Sequence, residues 1–212
     1  MIKRRLLLIG GGGHCKSVLD SVSSCSAYED IAIIDRPEHM GKKIGAATVI
    51  GTDEDLPLLK QKGYTDAFVS VGSIGNTLTR MRLMKNLKEL GFEIPSIIDP
   101  SSHVSPFCKV KEGAYVGKSA NINCDCYIGD GSIINTAATI EHECRIGKFV
   151  HIAPGAVVCG GAIIGDNCHI GAHATIIQGI HIEEDVMVGA GCVVIKDISA
   201  RRTVVGVPGR QI

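Results

Sequence analysis

From Ile98 to Val194 every sixth residue is Ile or Val, seventeen positions without a gap. The ladder starts Ile98, Val104, Val110, Val116, passes through Ile146 and ends at Val188 and Val194. An α-helix cannot use that spacing, because six residues make about 1.67 turns and successive positions rotate to different faces. A flat strand cannot use it either, since the residues between are not apolar at every second position. A fixed period of six marks a parallel β-helix, in which each short strand sends one β-branched side chain inward. Three strands of this kind close one triangular coil, and the next coil lies about 4.8 Å above it.

A second ladder stands four places after the first and runs from Ser102 and Cys108 to Cys192 and Ile198. Thirteen of its seventeen residues are Ala, Ser or Cys, as a corner inside a narrow prism requires. Glycine follows the Ile/Val at Gly117, Gly129, Gly147, Gly165, Gly171 and Gly189, where a chain that must turn needs conformational freedom. Of the nine cysteines, Cys108, Cys126, Cys144, Cys168 and Cys192 lie on the small-residue ladder. There Cys acts as a small buried hydrophobe, so no disulfide among them is expected. Cys124 and Cys126 form a C-x-C pair within one repeat, too little for a metal site, and none is expected. An odd number of thiols fits a reducing cytoplasm.

The 212 residues leave room for a separate N-terminal domain over 1–95, ahead of coils over 96–200 and a tail over 201–212. With 22 basic and 22 acidic residues and no Trp, the chain shows no footprint for nucleic acid. Lys3-Arg4-Arg5 followed by Leu6 to Ile9 mimics a signal peptide, but the apolar run is too short for one. No stretch is long enough for membrane insertion. Leu6 to Ile9 reads as a buried strand, Gly10 to Gly13 as a turn, and His14 as the start of a helix with Val18, Leu19 and Val22 on one face. That order makes an anion site from free N–H groups and the helix dipole. Ile31 to Ile34 is a second strand, ending at Asp35, where a ribose hydroxyl is commonly bound, with Arg36 next. Cys15 replaces the last glycine of a full dinucleotide fingerprint, so a plain tight turn stays open beside the nucleotide reading. The domain holds a single mononucleotide half. Thr52 caps a helix over 53–62, Ala67 to Val71 is a third strand with Gly72-Ser73 after it, and Leu83, Met84, Leu87 and Leu90 mark a last helix ended by Gly91.

The coils resemble the left-handed β-helix of the hexapeptide-repeat acyltransferases. The whole layout is similar to bacterial sugar acetyltransferases of the sialic-acid and bacillosamine type. That likeness rests on the glycine turn with His14, Asp35, the Val71-Gly72-Ser73 turn, the coils and Gly206-Val207-Pro208. The fold expected is therefore an α/β Rossmann-like half domain followed by a left-handed parallel β-helix. Among eight histidines, His142 stands apart in Glu141-His142-Glu143-Cys144. A histidine beside a carboxylate can be held in one tautomer as a stronger base. An exposed His in a charged turn is the alternative, and the resemblance decides against it: it makes His142 the general base and Glu143 its partner. Asn135 is a candidate for holding the sugar, with Gly12, Gly13, His14, Asp35, Arg36, Gly72 and Ser73 on the nucleotide side. Eighteen residues above His142 stands Gly160, whose N–H could steady an oxyanion. The resemblance places His151, Ala172 and Ala190 against acetyl-CoA, with His169 stacked above His151. His39, His103 and His181 are expected in solvent.

What the resemblance implies is an acetyl-CoA-dependent N-acetyltransferase. Its substrate would be a 4-amino-4,6-dideoxy sugar linked to UDP, in surface glycan synthesis, and its assembly a homotrimer. Two alternatives remain: O-acetylation of sialic acid or another sugar hydroxyl, and a non-catalytic β-helix subunit that binds nucleotide-sugar.

Overall fold

The computed structural model describes residues 4–25 and 27–212. The N-terminal part is a five-stranded sheet in the order β3-β4-β2-β1-β5. Its strands are β1 (Arg4–Ile9), β2 (Tyr28–Ile34), β3 (Lys43–Ile44), β4 (Ala47–Gly51) and β5 (Asp66–Val69). All neighbours pair in parallel except the β3–β4 hairpin. The run Leu6 to Ile9 is apolar throughout because both faces of β1 are covered. Leu6 and Leu8 meet α1 (Gly13–Ser23) through Cys15, Val18 and Val22. Leu7 and Ile9 meet α2 (Leu56–Gln61) and α3 (Leu78–Glu89) through Leu56, Leu83 and Leu87. Two expected boundaries differ. β5 stops at Val69: the Ser70 N–H makes the last ladder bond, to the Ile9 carbonyl, and its hydroxyl turns to the Gly10 carbonyl. The helix expected over 53–62 begins as a 3-10 turn, Asp53–Asp55, whose Asp55 carboxylate reaches back to the Thr52 N–H at 2.8 Å.

From Ile97 onward the chain climbs in three-sided coils built from two-residue strands, each paired in parallel with the strand eighteen residues away. The first face carries Ile97–Ile98, Tyr115–Val116, Ile133–Ile134, His151–Ile152, His169–Ile170 and Met187–Val188. The second carries Thr139–Ile140 and its stack, the third Arg145–Ile146 and its stack. From Val116 to Val194 no ladder residue is more than 2% exposed. The inward expectation fails at the open bottom end. There Ile98 is 40% exposed and Val104 and Val110 are only partly buried, since no coil lies beneath them. The expected tail is not separate: Thr203–Val205 pairs with Met187–Val188, and Arg210–Gln211 folds back on it.

The corners correct two further expectations. The glycines that follow the Ile/Val do not supply the turn conformation. Positive φ falls two residues later instead, at every sixth position from Gly113 to Gly191, and eight of those fourteen residues are not glycine. Ala137 (φ 56°), Glu143 (φ 61°) and Phe149 (φ 55°) are examples. An L-residue pays about 1–2 kcal/mol for that conformation. It is offset by a repeated hydrogen bond from the corner N–H to the carbonyl one coil below, as in Ala137 to Lys118 at 2.8 Å and Glu143 to Cys124 at 3.0 Å. Glycine after the Ile/Val serves stacking: a Cβ on Gly129 would sit 2.5 Å from the Gly147 carbonyl. The ladder cysteines are also more than small hydrophobes. Cys126, Cys144 and Cys168 donate to the carbonyls of Glu141, Cys159 and Glu183 at 2.9, 3.2 and 3.0 Å, as Ser132 does to Gly147 at 2.7 Å. All nine thiols are free.

The roles of the two corner positions separate in one experiment. Gly129→Ala should destabilise by about 1–3 kcal/mol through overpacking, although its φ is ordinary. Ala137→Gly should cost nothing measurable or stabilise slightly, because it removes the left-handed penalty. Thermal melts of both variants check this, and equal effects would refute the assignment.

Candidate active site

A cleft of about 980 Å³ opens at the carboxyl ends of β1 and β2, floored by the glycine turn. The four glycines divide. Gly10 has φ 102°, and a Cβ on Gly11 would lie 2.7 Å from the Asp35 carboxylate, so both are needed by the fold. A Cβ on Gly12 or Gly13 would meet nothing within 4 Å, so these two open onto the cleft. No side chain caps α1, which leaves its first-turn N–H groups for a ligand. Cys15, where the fingerprint breaks, is buried in the core and lines nothing. His14, Arg36 and Gly72 line the cleft as expected.

Asp35 has a second task. Its Oδ2 accepts the Gly11 N–H at 3.1 Å and contacts His39 Nδ1 at 3.0 Å, while Oδ1 accepts the Arg36 N–H at 2.9 Å. Burial raises this carboxyl, but the bonds from Arg36, His39 and Gly11 outweigh it and hold it below its ordinary value. Asp35 thus fastens the glycine turn, with one Oδ1 lone pair left for a hydroxyl. His39 is therefore not a free solvent histidine, as sequence reading had it: it lines the cleft and is tied to Asp35. Sequence reading also missed Lys42, Thr79 and Arg82, which bring two cations to the rim. The three-residue spacing of Thr79 and Arg82 puts both on one side of α3.

Ser73, Asn135 and His151 do not line that cleft. They meet where the N-terminal sheet docks on the first face of the coils, whose outward residues Ile97, Tyr115 and Ile133 enter the α1 core. Tyr115 receives the edge of His14 at 5.1 Å and shares its hydroxyl with Ser21 at 3.1 Å. His151 places Nδ1 2.8 Å from the Ser73 carbonyl and Nε2 3.1 Å from the Asn135 amide nitrogen. A carbonyl accepts only, so Nδ1 carries the proton and Nε2 accepts from Asn135. Both ring nitrogens are spent within the chain. Burial drives the pKa of His151 down to about 4 and that of His14 to about 3, each pushed further by the Arg80 charge. His169 stacks edge-on against His151 at 4.9 Å.

His142 lies on another edge, between the second and third faces. Its Nδ1 is 3.0 Å from Glu143 Oε2. Sequence neighbours on a strand point apart; these two converge because Glu143 takes the left-handed conformation. Glu141, the other flanking acid, is held instead by Asn123 at 2.8 Å. Gly160 is buried directly under the imidazole: a Cβ there would lie 2.6 Å from His142 Nε2. The absent side chain makes room for the ring. His142 itself is 48% exposed. Ala172 and Ala190 stack at the edge between the first and second faces, half-buried and exposed respectively. Among the described residues no group of three His, Cys, Asp or Glu side chains is placed to hold a metal ion.

The PglD N-terminal domain family matches residues 5–87. The bacterial transferase hexapeptide family matches 143–178, and the hexapeptide repeat of succinyl-transferase matches 161–196. A crystal structure of perosamine N-acetyltransferase from Caulobacter crescentus, a histidine-to-asparagine mutant in complex with CoA and GDP-perosamine, is 34% identical with a TM-score of 0.92. The match covers 100% of this chain and 98% of that one. The chain belongs to the hexapeptide-repeat acetyltransferases that carry a PglD N-terminal domain. A second member of the family, the acetyltransferase domain of PglB from Neisseria gonorrhoeae FA1090 in complex with acetyl coenzyme A, is also 34% identical. It covers 99% of this chain and 100% of that one, with a TM-score of 0.92. WeeI from Acinetobacter baumannii AYE is 26% identical over 99% and 100%, with a TM-score of 0.87. A search of curated proteins finds no match. The coil is the left-handed β-helix of this family.

The two depressed histidines set a pH dependence. Their folded values lie below the ordinary one near 6.5, so the unfolded chain takes up protons that the folded chain refuses. Their stabilisation is complete above pH ~6.5 and is lost as pH falls toward about 4, at roughly 1.4 kcal/mol per pH unit for each histidine. Urea unfolding at several pH values reads this directly; equal stability at pH ~7 and pH ~5 would contradict the burial of both rings.

Proposed function

We propose that this protein transfers the acetyl group of acetyl-CoA to the amine of a nucleotide-linked amino sugar, in a reducing cytoplasm and for surface glycan synthesis. The observation that carries the reading is the His142–Glu143 pair seated over Gly160. Glu143 accepts Nδ1–H, so Nε2 is free to take the proton that the amine loses as it attacks the thioester carbonyl. The glycine turn, His14 and the rim cations Arg36, Lys42 and Arg82 suit the diphosphate. Asp35 keeps a lone pair for the ribose. The Caulobacter relative binds GDP-perosamine, which makes GDP-linked amino sugars the first to test, ahead of UDP-linked ones. Ala172 and Ala190 leave a slim edge for the pantetheine arm, with His151 one coil and Asn135 two coils below Ala172 along the first-face stack.

One chain does not bring these parts together. The N-terminal domain covers the first face, whereas His142 sits on the edge opposite that face. The nucleotide cleft of one chain must therefore meet the His142 edge of another, and a three-fold ring closes the contact. The half-buried outward residues Thr139, Val157, Thr175 and Val193 offer the flat β-branched surface such a neighbour needs.

Turnover is read by thiol release with mass detection of the acetylated sugar across GDP-, UDP- and CMP-linked substrates. His142→Ala should cut turnover by roughly 10²–10⁴ while both substrates still bind. Glu143→Ala should cost less, because Glu143 only orients the ring. Near-normal turnover in His142→Ala would sink the base assignment.

Gly12→Val should fold normally, since its added Cβ meets nothing, yet lose nucleotide-sugar binding and keep acetyl-CoA binding. Co-assembly of inactive Gly12→Val and His142→Ala chains should restore activity at the one kind of mixed site that holds both intact halves. No recovery in a verified mixed oligomer would place the site within one chain.

A further inference from the structure

Arg80 is one of the few charged residues buried in the molecule, and no carboxylate lies within ion-pair distance of it among the described residues. Burial lowers its pKa to about 10, still a full cation at neutral pH. Removing a guanidinium from water without a counter-ion is costly, so its partners must be well placed. It points Nη1 at the Ser73 hydroxyl at 3.2 Å and donates Nη2–H to the Gly131 carbonyl at a coil corner. Its Cζ lies over the Phe149 ring, 5.8 Å from the centroid. One side chain on α3 thus grips both the turn after β5 and the β-helix.

The turn it grips is the one that orients His151. The Ser73 carbonyl takes the Nδ1–H of His151, whose Nε2 then accepts one N–H of Asn135. Asn135 Oδ1 accepts the Thr136 N–H at 2.8 Å, which locks the amide. One Asn135 N–H remains, a donor for an oxygen of a bound substrate. If the Ser73 carbonyl moved, His151 could adopt its other tautomer, and Asn135 would lose its acceptor. The cation also stands close enough to disfavour a second positive charge on His151.

We infer that Arg80 is a positioning residue for acetyl transfer: it clamps the Ser73 turn to the coil and thereby sets, through His151, the direction in which the Asn135 amide donates. The effect on turnover rests on the function proposed above, while the effect on His151 does not.

The test uses the full-length chain with Arg80→Met, Arg80→Lys and, should Arg80→Met fold poorly, Ser73→Ala, which removes only the hydroxyl. In nitrogen-detected NMR without substrates, His151 of the native protein should show the Nδ1–H tautomer alone, and Arg80→Met should show a mixture. Turnover in Arg80→Met should fall roughly 10- to 100-fold with little change in KM for either substrate, the signature of misplacement. Arg80→Lys should recover only part, because an ammonium lacks the planar fork. A double-mutant cycle with Asn135→Ala should be strongly non-additive. An unaltered His151 tautomer, or additive losses in the cycle, overturns the inference. Altered tautomers in a protein without acetyl-transfer activity would uphold the clamp and reject the proposed function instead.

Discussion

From Gly131 to Gly191 each left-handed coil corner hangs from the coil beneath it by a hydrogen bond from its N–H to a carbonyl of that coil. That bond offsets an unfavourable backbone conformation at six non-glycine corners, Ala137, Glu143, Phe149, Asn167, His173 and Asp185, and it keeps the coils at strand spacing. The interior then has one width, which admits an Ile or Val from each strand and a small residue beside it. The thiols and the Ser132 hydroxyl fit the same constraint, since each finds a corner carbonyl within reach. Glycine is needed after the Ile/Val wherever the backbone of the next coil presses on it.

Chemistry is grafted onto this frame by the corners. A left-handed Glu143 lets an acid and the preceding histidine share one side of the chain, which neither a strand nor a helix would permit. The coil above supplies a position where only glycine leaves space for the imidazole. Rigid stacking holds that pair without any contribution from the N-terminal domain, which sits against a different face.

The second organising contact is that domain's seat on the first face. It buries two neutral imidazoles near a lone cation and passes hydrogen bonds from Ser73 through His151 to Asn135. Polar groups in such a place are costly unless each is satisfied. Among the described residues, His14 Nε2 and His169 Nδ1 are the two buried side-chain polar atoms without a hydrogen-bond partner. Separation of the two domains would break the His151–Ser73 bond and the His14–Tyr115 contact together.

The period of six, read from residues alone, determines the coil interior, because a β-branched side chain every sixth position satisfies no other regular backbone. The glycine turn and the Glu141 to Cys144 string were legible for a similar reason: their meaning is local, carried by neighbours in the chain. Outward side chains have no such period. Tyr115 and His151 occupy the same register as exposed residues of the other faces, and only the docking of a sheet formed far away in the chain buries them. The same docking turns His151 inward to Ser73, gives Arg80 its partners and leaves His142 on the opposite edge. Tertiary structure alone decided that Asp35 fastens its own glycine turn, since the carboxylate's four lone pairs are shared out by whichever donors the fold brings within 3.1 Å.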